Sequence, residues 1–158
     1  MSVVVKTITR LVKSFIFLFG LYIVSYGHLS PGGGFSGGVI LTCAFVLVML
    51  AFGRDHALRR FGLHTAEQYD SIGALGFLAT AVVGFFSMGV FFANWLSVPA
   101  VSWLNAICTK CHVGPFRLLS AGTIPVNNLF IALKVCASLF LVYALLAMLR
   151  FDNAKTED

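Results

Sequence analysis

The chain has 158 residues, 59% of them hydrophobic and 11% charged, with a mean hydropathy of +0.93. Soluble domains carry about 25% charged residues, and a chain this short cannot hide so much apolar surface from water, so a soluble enzyme is excluded. The net charge of +5 comes from Lys and Arg set singly among apolar runs, a pattern that fits membrane topology and not nucleic-acid binding.

Four apolar stretches follow in chain order, and a membrane-spanning helix needs roughly 20 such residues. The first covers 3–26 and is interrupted by Lys6, Arg10 and Lys13. It has the basic start and apolar middle of a signal peptide, yet no small-x-small cleavage site precedes Gly27, so a retained helix is expected. The second covers 35–52 and is long enough only if its helix starts inside the glycine-rich segment before it. The third, 72–96, carries no charge, and the fourth, 126–149, carries one, Lys134. Backbone groups in lipid must be satisfied within the segment. The expected fold is therefore all-α: an integral membrane protein with four transmembrane helices in one domain, 1–150, and a polar, mobile tail at 151–158.

Loop charge sets the expected orientation. Lys6, Arg10, Lys13, Arg54, Arg59, Arg60, Arg150 and Lys155 fall on one side of four spans, and only Lys110 and Arg117 on the other. The positive-inside rule puts both termini and the 53–71 loop in the cytoplasm, as in a multi-pass protein of the cell membrane. Trp95 and Trp103 then fit the outer interfacial belt. Asp55, Glu67, Asp70, Asp152, Glu157 and Asp158 all lie outside the four stretches. Proton and cation paths usually need an intramembrane carboxylate, so this chain is not expected to carry ions alone.

The segment from Gly27 to Gly38 is the most specific feature. Pro31 cannot donate a backbone hydrogen bond and is expected to end the first helix or start the second. Gly32, Gly33 and Gly34 permit a tight reversal. Gly33 with Gly37, and Gly34 with Gly38, are small-xxx-small pairs that let another helix approach to backbone contact, with Phe35 projecting between them. His28 next to Leu29 and Ser30 has no acid to orient it as a catalytic base. A phosphate loop is excluded, because no Lys-Ser/Thr pair follows the glycines and no strand precedes them. The segment reads as a closely packed helix hairpin, or as a lining element of an ion or water path.

Lys134 lies about 12 Å into the fourth stretch from Val126, at 1.5 Å per residue. A charge there costs about 2.5–3.5 kcal/mol on insertion scales. Asn127, Lys134 and Ser138 fall at i, i+7 and i+11 and share one helical face. That stripe is expected to face protein or water. With no acid inside a stretch, the partner of Lys134 is expected in another subunit, either as an ion pair that holds subunits together or as part of a proton or sodium path.

Cys108-Thr109-Lys110-Cys111-His112 has the C-x-x-C-H form of a c-type haem attachment site. Two thiols at that spacing reach the two vinyl groups, and the histidine ligates iron. The alternative reading of Cys108, Cys111 and His112 as a haem c site competes with a disulfide or plain thiols. Too few ligands are present for zinc.

The stretch Gly27–Gly38 resembles the signature of the MnhB family, one of the membrane components of Mrp-type multisubunit cation/proton antiporters. Ser120-Ala121-Gly122-Thr123-Ile124-Pro125-Val126-Asn127-Asn128, followed by Ile131-Ala132-Leu133-Lys134-Val135, resembles the family's second block and is similar to versions found in membrane-bound hydrogenase complexes. The resemblance covers about Ser14 to Leu146. It implies a subunit without catalytic activity or cofactor, partnered by other membrane subunits and the bilayer, in a module that exchanges Na+ for H+.

Overall fold

The computed structural model describes residues 3–29, 31–53, 62–94 and 121–156, with 150–156 by backbone alone. The Cys108–His112 segment and both tryptophans lie outside the described residues. The described residues form four helices: α1 (Val3–Tyr26), α2 (Gly33–Phe52), α3 (Leu63–Met88) and α4 (Ile124–Thr156). Each is long and apolar enough to cross a membrane, α4 over its portion Ile124–Leu149. The described residues contain no strand.

Close approaches define the packing. Gly34 lies against Asn128 and Gly38 against Ala132, so α2 and α4 run parallel. Asn127 meets Thr80 and Lys134 meets Asp70, so α3 is antiparallel to α4. Gly37 lies against Val24, while Arg10 sits over Phe52, so α1 is antiparallel to α2. The pair α2–α4 is central, with α1 packed on α2 and α3 on α4. The starts of α1 and α3 and the ends of α2 and α4 thus share one end of the bundle.

The interior is built from small side chains. Ala44, Ala51, Ala66, Ala81, Ala132, Ala137 and Ala144 are buried, as are Gly20, Gly34, Gly37, Gly38, Gly73 and Gly84. Lipid tails are as apolar as leucine, so helices gain by van der Waals fit between close backbones and not by hiding large side chains. Val24, Met49 and Phe140 are the larger side chains buried with them, and most other large apolar side chains face outward, Phe86 at 82% exposure being the extreme.

The glycine-rich turn is tight at both ends. α1 stops at Tyr26, and the Leu29 amide closes a turn on the Tyr26 carbonyl at 2.9 Å. Gly32 (φ 150°) and Gly33 (φ 73°) reverse the chain into α2 with backbone angles that a side chain disfavours. Pro31 sits in the bend between the helices and belongs to neither.

Two boundaries differ from the sequence expectation. The third helix is not 72–96 but Leu63–Met88. It starts earlier because hydropathy alone discounts a segment carrying Glu67 and Asp70. It stops earlier because Gly89 adopts a left-handed cap (φ 73°) and its amide bonds the Phe85 carbonyl at 2.7 Å. The fourth helix continues past 149 to Thr156, so most of the expected mobile tail is helical. Polar residues interrupt an apolar window without interrupting a helix.

Asn94 joins the end of the α3 turn to the start of α4. Its Oδ1 accepts from the Thr123 amide at 2.8 Å and the Thr123 hydroxyl at 3.2 Å, and its Nδ2 donates to the Ala121 carbonyl at 3.2 Å. Asn94→Ala should cost about 1–2 kcal/mol, the usual effect of losing a helix-start acceptor. A thermal melt of the purified chain checks this through a lowered midpoint with unchanged helix content.

Candidate functional site

The polar stripe of α4 is the site. Helical periodicity places Asn127, Lys134 and Ser138 on one face, and all three meet α3. The Thr80 hydroxyl donates to Asn127 Oδ1 at 2.5 Å and is also within 2.7 Å of the Phe77 carbonyl. Lys134 Nζ donates to Asp70 Oδ1 at 2.9 Å, and the Ser138 hydroxyl donates to the same oxygen.

This corrects two expectations. An acidic residue does lie in a membrane-capable helix, since Asp70 is well inside α3. Lys134 has a carboxylate partner within its own chain, Asp70, where the sequence pointed to another subunit. The hydropathy window missed Asp70 because it looked for charge-free runs. A charge that is paired across two helices can sit at a level where a lone one would be expelled.

Glycine makes the pair reachable. A Cβ on Gly73 would lie 2.8 Å from the Lys134 amide nitrogen and 2.9 Å from its Cβ, and one on Gly76 would overlap the Phe130 ring. The two backbones are therefore close enough for a short aspartate to reach both Lys134 and Ser138. The lysine side chain is 46% exposed and the aspartate 29% in the chain by itself. The ion pair thus opens sideways, at the outer face of the α3–α4 pair, among apolar helices. Such an arrangement can hold a proton or a cation at the carboxylate, or present a polar contact to a neighbouring membrane helix.

The residues of the glycine-rich turn do not join this cluster. Gly33 faces the Asn128 side chain, Gly34 the Asn128 backbone, and Gly38 faces Ala132 and Val135. Gly37 packs on α1. Gly32 lies over Ser36 and Ile23, and Pro31 and Phe35 point outward, Phe35 at 64% exposure. His28 is half-buried in the turn. The turn therefore meets the α4 block at Asn128, while the neighbouring Asn127 faces the opposite way onto α3. Thr42 adds a second link between α2 and α4, its hydroxyl lying 2.9 Å from the Gly38 carbonyl and 3.3 Å from that of Cys136. Among the described residues, no group of three or more His, Cys, Asp or Glu is placed to hold a metal.

A bundle of four membrane-length helices, packed through glycine and alanine and carrying an ion pair on one flank, defines a multi-pass helical membrane protein. Residues 4–141 match the family described as a domain related to the MnhB subunit of Na+/H+ antiporter. The chain belongs to the MnhB family. Among its relatives, an uncharacterized protein of Methanocaldococcus jannaschii is 35% identical over 120 residues, 76% of this chain and 42% of that protein. The chain thus spans under half the length of that relative. Proteins named "putative antiporter subunit mnhB2" from several Staphylococcus aureus strains are 35% identical over 121 residues, 77% of this chain and 82% of theirs. Neither the family description nor these names refers to a haem.

Proposed function

We propose that this chain is a non-catalytic membrane subunit of an Mrp-type multisubunit antiporter that exchanges Na+ for H+. The observation that carries the reading is the family match across residues 4–141, which takes in all or most of every helix. The geometry supports it. The Asp70–Lys134 pair opens sideways at a depth where lipid would solvate it poorly, so a neighbouring subunit or a water path covers it. Both termini lie in the cytoplasm, and the complex sits in the cell membrane, alone or as the exchange module of a membrane-bound hydrogenase-type complex. The chain contributes to assembly and to the translocation path, while other subunits supply the driving energy.

The test is exchange in everted membrane vesicles from a host deleted for this chain alone. Sodium-driven proton movement should fall to background and return when the intact chain is supplied in trans. Full exchange in the deleted vesicles would overturn the proposal.

A further inference from the structure

We propose that the cleft between α1, α2 and α4 binds one anionic phospholipid, with an acyl chain in the cleft and the phosphate at Arg10 and Lys13. The cleft has a volume of about 190 Å³ and presents only apolar atoms. It is lined by Phe17 of α1, Leu41 and Phe45 of α2, Leu133 and Phe140 of α4, and Tyr69 of α3. The aromatic walls are braced edge to face, Phe17 on Phe45 with centroids 6.4 Å apart and Phe45 on Phe140 at 6.0 Å. A wall of this kind offers no hydrogen-bond partner to water, and an apolar cavity stays dry. At membrane depth its natural filling is hydrocarbon.

The rim says which hydrocarbon. Lys13 and Arg10 stand four and seven residues before Phe17, on the same face of α1. Phe52 stands seven residues after Phe45 on the same face of α2, and the Arg10 guanidinium lies 5.8 Å from its ring centroid. Positive charge is therefore held along the line of the cleft, about 10 Å from the Phe17–Phe45 level at 1.5 Å per residue. It lies toward the bundle end shared by the start of α1 and the end of α2, and a basic residue near a span's end reaches the headgroup level. A ring face beneath a guanidinium holds it by cation–π attraction without using its N–H donors, which remain for a phosphate. A purely apolar helix from another protein would fill the cleft but would leave two cations facing it. A phosphate with acyl chains satisfies both parts.

Native mass spectrometry of the intact chain in detergent, offered equal amounts of palmitoyl-oleoyl phosphatidylglycerol and phosphatidylcholine, tests this. The wild-type chain should retain one phosphatidylglycerol with a preference of about thirtyfold, the size expected for two basic residues at a membrane surface. Arg10→Ala with Lys13→Ala, both outside the packed core, should abolish the preference. Leu133→Trp should fill the cleft and reduce retention of both lipids. Equal retention by the wild type, or an unchanged preference in the double variant, would overturn the proposal. Placing a benzophenone side chain at Phe17 in native membranes separates the occupants. A lipid adduct is expected, and a polypeptide adduct would assign the cleft to a partner helix instead.

Discussion

Valine in place of Gly34 should force α2 away from α4 and leave little folded protein in the membrane. A Cβ at Gly34 would overlap the Asn128 carbonyl oxygen and lie 2.9 Å from its Cα. The obstacle is helix backbone, which cannot rotate aside as a side chain can, so the whole of α4 has to move. One turn on, a Cβ at Gly38 would meet the Ala132 carbonyl oxygen at 2.8 Å. Overpacking usually costs about 1–3 kcal/mol. Displacing α4 also strains the Thr42 contact to the Cys136 carbonyl at 3.3 Å. Gly62→Ala is the control, because Gly62 has φ −61° and a Cβ there would find its nearest neighbour, Thr65 Oγ1, at 3.7 Å. The yield of monodisperse protein after detergent extraction measures both. Gly34→Val should fall near background and Gly62→Ala should match the wild type. Wild-type yield from Gly34→Val would mean that α2 and α4 are not in backbone contact.

Removing Asp70 is the second large effect. Asp70→Ala leaves Lys134 charged in the apolar layer with no carboxylate beside it, where an unpaired lysine costs about 2.5–3.5 kcal/mol. Lys134→Ala leaves the carboxylate with Ser138 and without its cation. Each single change should cut the amount of chain in the membrane several-fold, and with it the exchange activity of the complex. The double change Asp70→Ala with Lys134→Ala removes both charges together, so its amount should recover toward wild type. The departure from additivity in that cycle is the signature of the pair. If the double variant shows the sum of the single losses, the two residues do not act on each other. Amount and activity also separate two roles. Recovery of the amount without recovery of exchange assigns the carboxylate to the translocation path, and recovery of both assigns it to packing.

How much of this was legible in the sequence varied with the physics involved. The i, i+4 spacing of glycines determines which of them share a face in any helix. Gly34 and Gly38 accordingly both meet α4, but the expected pair Gly33 and Gly37 divides, Gly33 at the helix start facing Asn128 of α4 and Gly37 packing on α1. The same periodicity put Asn127, Lys134 and Ser138 on one stripe. Asp70 was legible as an acid but not as a member of the site, because it lies more than sixty residues away and just before a charge-free run. A useful signal was available in Gly73 and Gly76. Two glycines just after the aspartate mark where α3 can come near another backbone, and so where a short side chain could reach across.

Composition and hydropathy by themselves determined that this chain is a bundle of membrane-length helices, because transfer of apolar residues into lipid depends on local content and hardly on neighbours. Helix period alone determined which residues share a face. The tertiary structure decided which face meets which helix, and where α3 begins. It also decided that Lys134 is neutralised by Asp70 of its own chain. The reason is that a charge in lipid is tolerated according to its partner, and a partner on another helix is a property of packing and not of any window of sequence.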